Sequence, residues 1–292
     1  MPRNHRLGVP ALIVTALYAA ALLITAAIAL TSGDIAPLWR LTVFAPVEET
    51  IEATPQNVAT MLLIGAPWAC ALWTCLRGPR TGTPPEPTTK DRRLRLALYA
   101  AAAAWLLHPI APGWPWWAVA LDSLLMLAVV LLFAPVLGDG LELPVVAQIA
   151  GVLAYGGGAV TAVTDELGVD LGLLSLLFAL GQLVWMVLVL RAQRWDGRWP
   201  FVTYLYGITS LVLPLLVLAV GWMLVDAGSL YYSLAAAAGV LMATWLAQSA
   251  HDLADPRNRP VAPVPLPGDP ATPCHAHLRS APRKVPVRRA LP

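Results

Sequence analysis

Eight long apolar runs separated by short polar stretches constrain this chain more than any other feature. They cover residues 9–30, 56–76, 94–111, 115–137, 144–164, 171–190, 200–225 and 229–249. A hydrocarbon core of about 30 Å takes about 20 apolar residues to cross as a helix. Inside lipid the backbone must satisfy its own hydrogen bonds, which makes the helix the natural spanning element for such runs. The expected fold is therefore all-α, a polytopic integral membrane helical bundle of about eight transmembrane helices. Composition agrees, since 58% of the 292 residues are hydrophobic and only 12% charged, outside the range of water-soluble domains.

Orientation follows from the basic residues, because short cytoplasmic loops collect Lys and Arg. With the N-terminus inside and all eight runs counted as spans, 18 of the 19 basic residues fall on the cytoplasmic side. Arg40 alone falls outside. Removing one span would reverse every later loop and expel either Arg191, Arg194 and Arg198 or the basic C-terminal segment. The expected topology is thus N-in/C-in, in a cytoplasmic (inner) membrane. The excess of Arg over Lys suits a GC-rich bacterial source. The run after Arg3 and Arg6 exceeds the 7–15 apolar residues of a signal-peptide core and is expected to be a retained helix. On the outer side stand Asp34, Glu48, Glu49, Glu52, Asp165, Glu166, Asp170 and Asp226, an acidic face.

The organisation expected is a transmembrane bundle over 1–250, with a Pro- and Thr-rich cytoplasmic linker at 77–95, followed by a disordered basic tail over 251–292. That tail has ten prolines in 42 residues and little to bury against the entropy of ordering. Arg279, Arg283, Lys284, Arg288 and Arg289 lie within 11 residues of each other, which predicts attraction to anionic lipids of the inner leaflet. The other partners expected are the bilayer itself and a small-molecule substrate, with no nucleic acid.

Candidate sites begin with Asp122, the carboxylate inside a predicted span. Intramembrane carboxylates are costly and usually face a partner or a wet cavity. The tight link PIAPGWPWW would bring it near His108, so the pair is expected to titrate together. Aromatic residues near the outer ends of spans, including Trp39, Trp116, Trp117 and Trp222, suit an interfacial belt. Together with Tyr155, the residues Trp116, Trp117 and Trp222 are candidates for receiving a cationic group on their ring faces. Gly156, Gly157 and Gly158 could break the fifth span as transporter helices are broken at midplane, or let helices pack closely.

Glu48 and Glu49 lie in the acidic segment FAPVEETIEATPQN. The quartet Pro46, Val47, Glu48, Glu49 resembles the PxEE signature of small membrane lycopene cyclases, in which the acids are implicated in carbocation chemistry. The resemblance covers four residues, and no second copy follows. The same glutamates, with His251 and Asp255 as an HxxxD element, resemble CAAX-type intramembrane proteases. There the following Arg and an FxxxH element are absent, and the two pieces fall on opposite faces, which excludes that family.

No cofactor is expected. Cys274, His275 and His277 are too few for a tetrahedral zinc site, so no metal is expected either. No phosphate loop, HExxH or GxSxG motif occurs. Three function classes remain. A transporter-like or permease-like protein for a small lipophilic or cationic compound uses Asp122 and the acidic face. A membrane-embedded, terpene-cyclase-like enzyme acting on a lipid or isoprenoid uses Glu48, Glu49, Asp122 or His108 as catalytic acid. A non-catalytic assembly, sensory or immunity partner needs no polar site.

Overall fold

Among the described residues, each of the eight apolar runs is occupied by a helix. The computed structural model describes residues 8–43, 52–78, 88–107, 115–224 and 228–255. Among them the helices are α1 (Gly8–Ser32), α2 (Ala36–Thr42), α3 (Pro55–Leu76), α4 (Thr89–Leu107), α5 (Trp116–Leu137), α6 (Pro144–Glu166), α7 (Leu173–Asp196), α8 (Phe201–Leu224) and α9 (Gly228–Ala254). No strand occurs among the described residues. Five helices, α1, α3, α5, α6 and α7, are long and apolar enough to cross a membrane. Their outward surfaces are apolar, with Leu173 83% exposed, which suits lipid and not water. Together these features describe a helical bundle built for a membrane.

Local signals set the boundaries. The Thr54 hydroxyl accepts from the Asn57 N–H at 3.2 Å, with Pro55 in the first helical position of α3. Gly197, at φ 74°, ends α7 in the left-handed conformation. Threonines inside spans return their hydroxyls to the preceding turn, as Thr25 does to the Ala21 carbonyl at 2.8 Å.

Successive helices α4 to α7 pack as antiparallel neighbours, and α9 packs against α3, α4 and α8. Side-chain contacts gather the ends of α3, α5, α7 and α9 with the starts of α4, α6 and α8 at one end of the bundle. Arg198, between α7 and α8, donates to the Val136 carbonyl of α5 at 2.6 Å and pairs with Asp91 of α4 at 3.6 Å. Arg191 of α7 pairs with Glu142, just before α6, at 2.9 Å. This end also carries Arg77, Lys90, Arg92, Arg93 and Arg95, whereas Asp165, Glu166 and Asp170 sit between the opposite ends of α6 and α7.

Four features differ from the sequence expectation. First, the segment at 77–95 is not all linker, because α4 starts at Thr89. Thr88 caps it: its hydroxyl accepts the Asp91 N–H at 3.2 Å and donates to the Asp91 carboxylate at 2.8 Å. Second, α9 runs to Ala254 with His251 and Asp252 buried, so these residues belong to the bundle and not to a tail. Residues 256–292 lie outside the described residues. Third, α2 is an additional short helix folded back between α1 and α3. Its Trp39 is buried instead of standing in an interfacial belt, and Tyr18 of α1 donates to the Leu41 carbonyl at 2.9 Å.

Fourth, α6 is unbroken at Gly156–Gly158. Gly151, Gly157 and Gly158 are packing surfaces. A Cβ on Gly157 would stand 2.3 Å from the Phe178 ring of α7, and one on Gly158 would stand 3.0 Å from the Ser123 hydroxyl of α5. Close helix approach through small residues is the membrane substitute for hydrophobic association. The core beside it is an aromatic layer. Phe133 stacks on Trp245 at 6.1 Å, and Trp185 meets Trp245 edge-on at 6.2 Å and Tyr155 edge-on at 5.4 Å.

Candidate functional site

Asp122 lies on the second turn of α5, half-buried and facing α6. Its charge reaches the buried Tyr155, whose hydroxyl lies beside Gln182 of α7. Asp122, Tyr155 and Gln182 thus lie near one another on three helices, in the half of the bundle nearer the acidic end, with no hydrogen bond of normal geometry joining the Tyr155 hydroxyl to either. Trp116 and Trp117, in the first turn of α5, are 43% and 57% exposed, turned to the surroundings and not toward that group. His108, Glu48 and Glu49 lie outside the described residues, as does the side chain of Trp222. The structure thus brings together two of the candidates, Asp122 and Tyr155.

A second polar group, which the sequence reading missed, occupies the basic end. The last turns of α9 are buried on all sides, yet they carry Thr244, Gln248, Ser249, His251 and Asp252. A helix can hide such a polar stripe only if its neighbours supply partners. His251 is held at both ring nitrogens, by the Tyr99 hydroxyl of α4 at 2.7 Å and by the Thr74 carbonyl of α3 at 2.8 Å. Thr74 lies in the last turn of α3, where a carbonyl has no partner within its own helix.

The chemistry of His251 follows from these partners. A carbonyl only accepts, so the nitrogen facing Thr74, Nε2, carries a proton. Nδ1 then accepts from Tyr99 when the ring is neutral and donates to it when the ring is charged, since a hydroxyl serves either role.

Asp252 accepts at both oxygens, from the Thr203 hydroxyl of α8 and from the Gln248 amide at 3.0 Å. The Gln248 carbonyl in turn accepts from Arg77 at 3.2 Å. Deeper in α9, Trp245 donates to Gln193 of α7 at 3.1 Å, and Gln193 donates to Ser249 at 3.3 Å. Arg77, Gln248, His251 and Asp252 border a cavity of about 170 Å³ that Tyr206 and Asp255 also line. Its size suits a ligand smaller than the drug-sized occupants of sites of about 300–1,000 Å³.

Beside the cavity, Arg198 clamps the link between α7 and α8. It forks onto Asp196, one contact being 2.7 Å, and lies 5.0 Å over Trp199. The Asp196 hydrogen bond holds the Arg198 guanidinium above its ordinary value, against the opposing effect of burial.

The missed signal was present in the sequence as spacing. Residues 244, 248, 251, 252 and 255 recur at helical intervals on an Ala-rich helix. Among the described residues, no three His, Cys, Asp or Glu side chains gather as metal ligands. No protein-family model, curated protein or solved structure matches the chain.

Proposed function

We propose that this chain is an eight-span cytoplasmic-membrane protein with both termini inside, transporter-like or permease-like, that handles a small lipophilic or cationic compound. The observation that carries the reading is a pair of polar groups on either side of the aromatic layer. His251 and Asp252 open on a cavity at the basic end, and Asp122, Tyr155 and Gln182 lie in the other half. Protonatable groups buried in spanning helices mark solute or proton pathways more often than structural fillers. The basic end is the cytoplasmic one by the positive-inside rule.

Orientation has a direct check. A reporter fused after Asp196 or at the C-terminus is expected to be active only in its cytoplasmic form; activity of either fusion at the outer face overturns the eight-span topology.

Function is tested by untargeted metabolite comparison of a deletion strain with strains complemented by wild type, Asp122→Asn or Asp252→Asn. Transport predicts that a small compound is redistributed across the membrane in the deletion. Wild type restores its distribution, while both variants insert normally and leave the deletion profile. A new or missing chemical species, instead of a redistribution, supports the enzyme acting on a lipid or isoprenoid. The close-packed aromatic core favours a second reading, a non-catalytic assembly, sensory or immunity partner. Full restoration by both Asn variants rejects transport through these groups in favour of that reading.

A further inference from the structure

Most neighbouring helices in this bundle pack along their length, but α7 and α8 meet over a shorter stretch. The gap between them is a groove of about 380 Å³ that opens at the bundle surface. Its wall is apolar, made of Val187 and Leu190 from α7 and Ile208 and Leu211 from α8. Its head, at the basic end, is formed by Arg191, Arg194, Trp195 and Tyr204. Along the groove hydrocarbon therefore comes first, and the arginines and aromatic rings follow together at the basic end.

We infer that this groove seats one anionic phospholipid, with an acyl chain along Val187, Leu190, Ile208 and Leu211 and its phosphate at Arg194 and Arg191. An apolar slot on the membrane-facing surface is filled by lipid in any bilayer. The charge of its head decides which lipid stays. Arg191 and Arg194 are both exposed, one helical turn apart on α7, and both turn toward the groove. Arg194 lies 5.7 Å over the Tyr204 ring, which fixes the guanidinium plane while leaving its N–H edges free to fork onto a phosphate. Glu142 takes one edge of Arg191, so Arg194 is the principal contact and Arg191 the secondary one. Trp195, 72% exposed, stands at the same end of the groove as the arginines, and an exposed indole ring favours the headgroup boundary.

The lipid seat rests on the proposed orientation only for its leaflet, the cytoplasmic one. It involves neither the His251–Asp252 cavity nor any substrate, so its failure and the failure of the transport reading are separate results. The basic C-terminal segment is the competing location for anionic lipid, and the test distinguishes the two.

Native mass spectrometry of the full chain, released from micelles holding equal phosphatidylglycerol and phosphatidylcholine with matched acyl chains, reads the retained lipid directly. Wild type is expected to retain phosphatidylglycerol in preference. Arg194→Gln and Arg191→Gln should each reduce that preference, by up to about fivefold, and together abolish most of it. Both side chains are exposed, so the fold does not depend on them. Leu211→Trp, which fills the groove and keeps the charges, should lower retention of both lipids. Equal retention of the two lipids by wild type overturns the proposal. So does a double arginine variant with wild-type preference, which moves the lipid to the C-terminal segment. Unchanged retention by Leu211→Trp overturns the acyl seat.

Discussion

Gly181→Ala is expected to lower the thermal stability of the detergent-solubilised protein, and Gly181→Leu to lower it further or abolish accumulation. A Cβ on Gly181 would lie 2.8 Å from the Ala150 carbonyl oxygen and 3.3 Å from the Ala154 nitrogen of α6. Both are backbone atoms, so no side chain can swing aside and the two helices must part. One turn along, Trp185 contacts Tyr155 and Phe133 and meets Trp245, so the separation is carried into the aromatic layer. Overpacking of this kind costs about 1–3 kcal/mol for a modest insertion. Gly156→Ala is the internal control. The nearest atom to its added Cβ is 4.0 Å away, and replacing a mid-helix glycine removes a cost of about 0.5–1 kcal/mol, so this variant should be neutral or more stable. Equal melting temperatures for Gly181→Ala and Gly156→Ala would show that α6 and α7 do not approach through Gly181.

His251→Ala is expected to loosen the basic end, where three helices share one imidazole. The substitution takes that partner from the buried Thr74 carbonyl and the half-buried Tyr99 hydroxyl. Each such loss costs about 1–3 kcal/mol. Hydrogen exchange should therefore rise in the last turns of α3 and α9. Tyr99→Phe removes only the hydroxyl and should cost about 0.5–1.5 kcal/mol. Because both variants break the same hydrogen bond, the double variant should be less destabilised than the sum of the two, by about 0.5 kcal/mol or more. Strict additivity, or a His251→Ala protein as stable as wild type, would show that the ring does not tie α9 to α3 and α4.

Several elements are legible in the amino-acid order, and for one physical reason. The helices at 8–32, 55–76, 116–137 and 144–166 begin and end within a few residues of the apolar runs, because lipid leaves the backbone no alternative to its own hydrogen bonds. The gathering of Arg77, Arg92, Arg95, Arg191 and Arg198 at one end follows from the alternation of antiparallel helices. The start of α4 is legible in principle, since Thr88 and Asp91 have capping-box spacing, but the prolines before them read as linker. The stripe on α9 is hidden because charged residues just past an apolar run look like the beginning of a solvated tail.

What the sequence determined by itself was which long apolar segments become helices and which helix ends carry positive charge. Both depend on each segment's own exchange between water and lipid, summed over consecutive residues. Only the tertiary structure decided which side of each helix meets which neighbour. Gly156–Gly158 has the same local composition whether it breaks a helix or packs one, and the Phe178 ring and Ser123 hydroxyl show that here it packs. Asp122 was recognisable as a buried acid, but Tyr155 across α6 became its neighbour through the rotation of two helices about their axes. His251 and Asp252 are held in the bundle by Thr74, Tyr99 and Thr203, residues at least 49 positions away in the chain. Burial of a polar side chain depends on partners that chain proximity does not supply, so the site at the basic end exists only once α3, α4, α8 and α9 have packed.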